Sequence, residues 1–298
     1  MALSRGKLSQ AFAPGLASIY YSRIDKVAKE HPEIVNIRTS KRAWEEDWRL
    51  TGLGPFVKKN EGGVYTFDEP LPGETIRYTH QTFGLAIRIF LEFVEDEQYG
   101  LMNRITAELG KAAALNKEQR AASILNNAFD VAYTGFDGLP LIHTGHTNIG
   151  GGTQSNRLAA DADLDIAPLA AAIQAFDLIT DDRGVTDSRR PAKLVIHPSN
   201  YMKAVEILET KTTPYSANNT VNVVSTKYNI SIVVNHYLTD PDAWFLLASE
   251  HDMNMFIRKD DSFHNADDPL TDDLIYTGRH RLSEGFGDWR GVYGSPGV

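Results

Sequence analysis

Two histidines and an aspartate lie close together in a glycine-rich stretch of the sequence. Asp137 comes shortly before His143 and His146, and imidazole and carboxylate groups are ligands that suit zinc or iron. The His-x-x-His spacing lacks the helical presentation of the HExxH motif, and no third ligand follows at a typical spacing. A loop whose Thr, Ser and Asn side chains bond its own backbone explains the same residues. The pattern therefore favours a structural role and leaves a metal-dependent hydrolase using His143 and His146 as an alternative.

The run Gly150 to Ser155 superficially resembles a phosphate-binding loop. It lacks the lysine that follows the glycines in a P-loop, and no clear strand precedes it, so a tight chain path explains the glycines better. The acidic pairs Asp267-Asp268 and Asp272-Asp273 flank Pro269 in a polar stretch that is typical of a solvated loop. No nucleophile elbow, kinase signature or dinucleotide fingerprint is present. The sequence thus predicts no active site, no cofactor and no enzymatic activity.

Composition narrows the class of protein further. The chain has 298 residues, no cysteine and a formal charge of −9, which excludes disulfides, cysteine-ligated metals and thiol nucleophiles. We find no secretory signal and no apolar run long enough to span a membrane, and we expect a cytosolic product. Acidic and basic residues are interspersed without a basic stripe, so we expect only passive, non-specific contact with DNA.

One helix and one aromatic pair are predicted near the N-terminus. Apolar residues recur at helical spacing before the His31-Pro32 stop. They are Leu16, Ile19, Tyr20, Ile24 and Val27. Trp44 and Trp48 stand four apart, which predicts a helix turn held on a core by two aromatic anchors.

The stretch Gly52 to Phe93 has the pattern of a long β hairpin. Val64 to Phe67 is a candidate strand, Asp68 to Gly73 has turn chemistry, and a second strand of about 18 residues begins near Thr75, against about 5–6 for an ordinary strand. The outer half of this ribbon is polar on both faces, and a two-stranded hairpin is marginal alone. We therefore expect it to lie on a neighbouring subunit.

The stretch Asp96 to Tyr133 predicts one long amphipathic helix. It contains no proline, and at 1.5 Å per residue such a helix spans roughly 50 Å. A loop from Gly135 to Arg157 and a helix from Leu164 to Ile179, begun by Asp163 or Asp165, follow. The remaining predicted elements are strands at 192–196, 222–225, 230–235, 244–248, 253–258, 274–282 and 287–293, and a helix at 200–209 with Ser199 as its cap.

Three local strings and the order of the elements resemble one protein family. They are DGLPLIHTGHTNIGGGTQSN (Asp137 to Asn156), KLVIHPSNYMKAVEIL (Lys193 to Leu208) and GDWRGVYGSPG (Gly287 to Gly297). Over essentially its whole length the chain resembles the major capsid protein of tailed bacteriophages with the Hong Kong 97-type fold.

The resemblance implies an α+β fold in four parts. These are an N-terminal arm (1–51), an extended β-hairpin or E-loop (52–93), a peripheral domain (94–191 and 250–298) with a long spine helix at about 96–133, and an axial α/β domain (192–249). It also implies a head protein that self-assembles in the bacterial cytoplasm into hexamers and pentamers of an icosahedral virion shell around double-stranded DNA. The implied partners are a scaffold, a portal and a decoration protein. Family members often carry a scaffolding extension, and because the helix and hairpin begin too early for one here, we expect the scaffold to be a separate protein or this chain to be a mature form.

Charged side chains on the hairpin can fix register between subunits and penalise wrong docking. The predicted intersubunit contacts are Lys58, Lys59, Glu61, Glu74, Arg77 and Tyr78. A shell that encloses an enzyme cargo, of the encapsulin kind, is a second reading of the same fold.

Overall fold

The fold is described by a computed structural model that covers residues 5–90, 92, 99–211, 221–267 and 273–298. It mixes helices and sheets and confirms the predicted α+β class. The chain divides into two compact units. Unit 1 consists of Met1–Glu45, Tyr78–Ala121 and Met255–Glu284; unit 2 consists of Glu46–Arg77, Ala122–Asn254 and Gly285–Val298. The four-part division by arm, hairpin, peripheral and axial domains stays a prediction.

Unit 1 is built on a four-stranded sheet. Its order is β1 (Asn36–Thr39), β10 (Met253–Asp267), β11 (Leu274–Phe286) and β4 (Gln81–Ile89). The antiparallel pairing of β11 with β4 runs from Leu274 opposite Ile89 to Leu282 opposite Gln81. The run predicted as one strand of about 18 residues is instead β3 (Pro72–Thr79) followed by β4, separated by the buried His80; Phe93 lies outside the described residues.

Two helices complete the core of unit 1. Helix α1 (Arg5–Lys26) confirms the predicted N-terminal helix, and His31-Pro32 does not end it but opens the short helix α2 (His31–Ile34). Helix α3 (Tyr99–Asn126) confirms the predicted long helix, is about 42 Å long and ends at Asn126 instead of Tyr133; the predicted start at residues 96–98 lies outside the described residues. Apolar side chains of both helices form two clusters with the sheet. They are Leu16, Ile89, Met102, Leu274 and Tyr276 in one, and Tyr20, Ile24, Leu109 and Ala114 in the other.

Unit 2 contains a second four-stranded sheet. Its order is β12 (Val292–Ser295), β9 (Trp244–Ala248), β7 (Pro191–Ile196) and β8 (Ser231–Val234), with β7 parallel to β8 and antiparallel to β9. All five residues of β9 are buried, which is why its continuous apolar run could be assigned from sequence.

The helices of unit 2 confirm two predictions and correct two. Helix α4 (Ile166–Asp177) is capped by Asp165, whose Oδ1 accepts from the N–H of Ile166 at 2.7 Å. Helix α5 (Tyr201–Glu209) follows a 3-10 turn (Pro198–Asn200) capped by His197 and not by Ser199. The strand predicted at 222–225 is wrong, because the Asn222 side chain accepts from two backbone N–H groups and starts helix α6 (Val223–Lys227).

The Trp44 and Trp48 prediction is also wrong. Both residues lie in strand β2 (Trp44–Leu50), where alternate residues share a face. They are 46% and 68% exposed. Their spacing of four, which fits a helix turn, fits one face of a strand equally well, and that face is solvent-accessible.

Candidate intersubunit surface

The predicted hairpin is a strand ribbon that carries a long irregular segment. Strand β2 pairs with β3 in a two-stranded sheet, and residues 51–71 between them contain no strand. The strand predicted at Val64 to Phe67 is therefore wrong. We call residues 51–71 the exposed loop.

Five of the six predicted contact residues are solvent-exposed. Lys58, Lys59 and Glu61 lie in the exposed loop, and Glu74 and Arg77 lie on β3. Tyr78, also on β3, is only 3% exposed. Its ring packs on that of Phe256 at 5.0 Å between centroids within unit 1. Tyr78 thus belongs to the packing of its own unit.

The exposed loop also presents apolar side chains, which were not among the predicted contacts. Phe56, Val64 and Phe67 are more than nine-tenths exposed. The Lys59 ammonium lies 4.1 Å from the centre of the Tyr65 ring, a cation–π contact. Neighbouring exposed apolar groups mark interaction sites more often than isolated ones do. The sequence predicts this stretch as part of a ribbon that is polar on both faces, so it did not single out these apolar side chains.

Hydrogen bonds close the exposed loop at its two ends. The N–H of Thr51 donates to the Leu71 carbonyl at 3.1 Å, and the Leu71 N–H donates to Thr51 Oγ1 at 2.7 Å. Further in, Asp68 accepts from the N–H of Gly54 at 2.7 Å and pairs with Arg183. The hydrogen bonds from Arg183 and Gly54 lower the pKa of Asp68 to about 2. The ion pair between Asp68 and Arg183 is therefore charged at neutral pH.

A buried ion network holds the strand from which the exposed loop leaves. Asp182 accepts from two guanidinium groups: Arg49 Nε lies 3.2 Å from Asp182 Oδ2, and an Arg290 terminal nitrogen lies 3.0 Å from Oδ1. A terminal nitrogen of Arg49 also donates to the Thr147 carbonyl at 3.1 Å. Burial alone would raise the pKa of Asp182, but the Arg49 hydrogen bond and the two positive charges lower it.

Other parts of unit 2 meet at this network. Arg290 Nε donates to the Thr180 carbonyl at 2.9 Å, and a terminal nitrogen donates to Asn148 Oδ1 at 2.7 Å. The N–H of Gly150 donates to the Asp182 carbonyl at 3.0 Å. A Cβ on Gly150 would stand 2.4 Å from that carbonyl oxygen, so the prediction that the glycine run serves a tight chain path is confirmed there.

The three charged residues of this network carry no sequence signal. Arg49, Asp182 and Arg290 are separated by more than a hundred positions at each step and belong to no motif. Only the fold brings them together.

The candidate metal ligands have a different role. Asn156 Nδ2 donates to the carbonyls of Leu141 at 2.7 Å and Val292 at 3.0 Å, which turns its Oδ1 toward His146 Nε2 at 3.0 Å. His146 Nδ1 lies 2.6 Å from Asp137 Oδ2. Burial opposes ionisation of Asp137, yet the hydrogen bond and charge of His146 lower its pKa. Both nitrogens of His146 are therefore engaged by side-chain oxygens of the same unit, and neither is open to a metal ion.

His143 does not supplement this pair. Its Nδ1 accepts from the N–H of Gly145 at 3.0 Å within its own turn, and the fully buried His146 ring stacks on Trp289 at 4.3 Å. Among the described residues, no group of three His, Asp or Glu side chains could hold a metal. The metal-site alternative is wrong for these residues.

The acidic pairs are only partly visible. Asp273 is buried and lies 3.7 Å from a terminal nitrogen of Arg88, so at this position the solvated-loop prediction is wrong. Asp268, Asp272 and the side chain of Asp267 lie outside the described residues.

Comparison with known proteins identifies the family. The profile of the phage capsid protein family matches residues 73–295. A comparison with curated protein sequences gives no match.

Solved capsid structures share the fold. A virus-like particle from Pyrococcus furiosus has a TM-score of 0.55 at 13% identity, covering 94% of this chain and 97% of that one. The procapsid of bacteriophage JBD30 has a TM-score of 0.56 at 14% identity, with 97% and 75% covered. The capsid of Myoviridae phage XM1 has a TM-score of 0.54 at 12% identity, with 92% and 93% covered.

These matches agree with the remaining observations. In the part of the chain that the structure describes, no helix has the length and hydropathy to cross a bilayer. The family match extends from β3 to β12, and the structural matches extend over nearly the whole chain. The chain belongs to the phage capsid protein family: it is a structural, non-enzymatic major capsid protein of the virion with the Hong Kong 97-type fold.

Proposed function

We propose that this protein assembles with copies of itself, as hexamers and pentamers, into an icosahedral head around double-stranded DNA in the bacterial cytoplasm. A separate scaffolding protein, a portal and a decoration protein are its proposed partners. The observation that carries the proposal is the exposed loop. It presents apolar side chains to solvent, and hydrogen bonds and the Asp182 network hold its two ends in place.

The exposed loop suits a contact between copies for energetic reasons. Burying a Val or Phe side chain stabilises by about 1.5–3 kcal/mol, so covering Phe56, Val64 and Phe67 gives on the order of 5–8 kcal/mol before the cost of association. The loop ties and the Asp182 network fix where the loop leaves the unit, which lowers that cost. A neighbouring copy is the partner that a shell supplies at every position.

Charged residues around the apolar side chains add specificity. Lys58, Lys59 and Glu61 lie between Phe56 and Val64 in the sequence. Opposite charges on a neighbour fix the register, and like charges penalise wrong docking. Arg77 already lies 3.3 Å from Glu46 across the ribbon, so its contribution includes holding β2 to β3.

Electron microscopy and light scattering of the full chain expressed alone and with its scaffold test the proposal. We expect shells or rings from the parent chain and their loss in Phe56→Ser/Val64→Ser/Phe67→Ser. The matched control is Val131→Ser/Leu178→Ser/Met202→Ser, which removes three exposed apolar side chains outside the loop. Shells that form equally well from both variants would contradict a role of the loop in assembly.

A cargo compartment is the second candidate. The similarity to a virus-like particle over 94% of the chain favours keeping it. Co-expression with the neighbouring reading frames separates the two: a portal and packaging proteins support the phage head, and an enzyme sealed in uniform shells supports the compartment.

A further inference from the structure

An open groove of about 380 Å³ runs between the two long helices of unit 1. Its α1 side carries residues 18, 19, 22, 23 and 26, and its α3 side carries residues 104, 107 and 108. These spacings place each set on one face of its helix. The lining residues are Ser18, Ile19, Ser22, Arg23, Lys26, Arg104, Ala107 and Glu108.

A close helix crossing fixes the two faces against each other. A Cβ on Gly110 would stand 2.5 Å from the Tyr20 carbonyl oxygen and 3.3 Å from Arg23 Cβ. Only glycine allows this approach. The crossing therefore holds Arg23 beside α3. Arg104, which lies one to two turns before Gly110 on α3, lines the same groove.

The groove carries positive charge without partners. Within the described residues, no carboxylate lies at ion-pair distance from Arg23, Lys26 or Arg104. Two other cations of this unit are paired: Lys29 lies 3.6 Å from Asp25, and Lys117 lies 2.6 Å from Asp260. Glu108 is the one acidic lining residue, and Lys111 continues the same face of α3 one turn further on. The groove is thus a local positive site on a chain whose net charge is −9.

We propose that this groove binds backbone phosphates of double-stranded DNA, which makes it the DNA-facing surface of the subunit. The inference rests on the proposed function as a container of DNA and names the residues that touch the contents. Arginine, lysine and serine side chains supply most phosphate contacts in protein–DNA complexes. The lining contains no aromatic side chain, and single-stranded binding normally uses aromatic stacking, so the duplex backbone is the favoured ligand.

Weak binding at each subunit is sufficient in a shell. A few phosphate contacts give non-specific affinities that salt reduces steeply. The many copies in a shell face one DNA molecule. Once one copy binds it, the effective concentration of DNA at the other copies is high, so weak contacts add up to firm binding. The overall acidity then keeps the rest of the wall from holding the DNA too tightly.

The test uses the unassembled full chain, so its result does not depend on shell formation. Fluorescence anisotropy measures binding of a labelled DNA duplex between 50 and 200 mM salt for the parent and for Arg23→Gln/Lys26→Gln/Arg104→Gln. Each phosphate contact contributes about −0.9 to the slope of log K against log salt, so we expect the slope to lose about 2–3 in magnitude. The control Lys41→Gln/Lys227→Gln/Lys259→Gln removes three exposed charges elsewhere and should leave the slope nearly unchanged.

A second variant and a competitor make the result decisive. Arg23→Lys/Arg104→Lys keeps the positive charges, so the slope should stay at the parent value. Its melting temperature is measured as well, because a general folding defect would lower it. Equal losses in the groove and control variants would overturn the proposal. Tighter binding of polyglutamate than of the duplex at equal charge concentration would also overturn it, in favour of an acidic protein partner. Shell assembly of the same variants, measured separately, reports on the proposed function alone.

Discussion

Replacing Asp182 by asparagine should destabilise unit 2 strongly. The change keeps the size of the side chain and removes the negative charge that pairs with both Arg49 and Arg290, which leaves Arg290 with its 3.1 Å pair to Asp288. Both guanidinium groups are more than nine-tenths buried, so neither regains water when the charge is lost. Removing one partner of a buried ion pair costs about 3–5 kcal/mol.

The assay is thermal unfolding of the full chain at neutral pH and moderate salt. At about 2–4 °C per kcal/mol for a unit of this size, the melting temperature should fall by on the order of 10 °C. Arg49→Gln should cost less, because it leaves one carboxylate facing one guanidinium group.

The control is the same substitution at an exposed pair. Asp161 accepts from Arg157 Nε at 2.8 Å, and both side chains are partly solvent-exposed. Such pairs contribute about 0–1 kcal/mol, so Asp161→Asn should move the melting temperature by no more than about 3 °C. If Asp182→Asn shifts it no further than Asp161→Asn does, the reasoning about the buried network is refuted.

Two further predictions concern a close contact and a partly buried histidine. Gly110→Ala should destabilise by about 1–3 kcal/mol, since its Cβ meets the Tyr20 carbonyl at 2.5 Å; Gly15→Ala, which meets nothing within 4 Å on an exposed helix face, should stabilise by about 0.5–1 kcal/mol. Urea unfolding measures both, and equal effects would contradict the role of the crossing. Burial, with a smaller effect of Lys193, lowers the pKa of His251 to about 4. As the pH falls, the unfolded chain therefore binds a proton at this histidine before the folded chain does. The free energy of unfolding should decrease between pH 6.5 and pH 4, by at most about 3 kcal/mol. A melting-temperature profile over this range should flatten in His251→Gln; an unchanged profile would show that another group causes it.

Periodicity predicted the elements whose burial is one-sided or complete. Helix α1 and strand β9 were assigned because their apolar residues alone decide where they can lie. Trp44 and Trp48 were misassigned, because a spacing of four fits both a helix turn and one strand face. Asn222 was misassigned because its capping bonds outweigh the β-branched residues that follow it.

Long-range electrostatics lay beyond sequence analysis for a physical reason. Arg23 and Arg104 are some 80 positions apart, and an acidic residue, Asp25 or Glu108, stands near each of them in the sequence. The chain therefore shows no basic stripe, although the helix crossing at Gly110 collects positive charge on one side. The Asp182 network escaped notice in the same way, since charges distant in sequence meet only after folding.

The double tie between Thr51 and Leu71 has a consequence for error correction during shell growth. Ordering a residue costs about 1–2 kcal/mol of conformational entropy, and the tie means that folding has already ordered the two ends of the exposed loop. In the proposed contact between copies, only the part of the loop between them remains to be fixed when a copy docks. Each such contact could then be weak and still form quickly, so that a subunit in the wrong orientation would leave before its neighbours trap it.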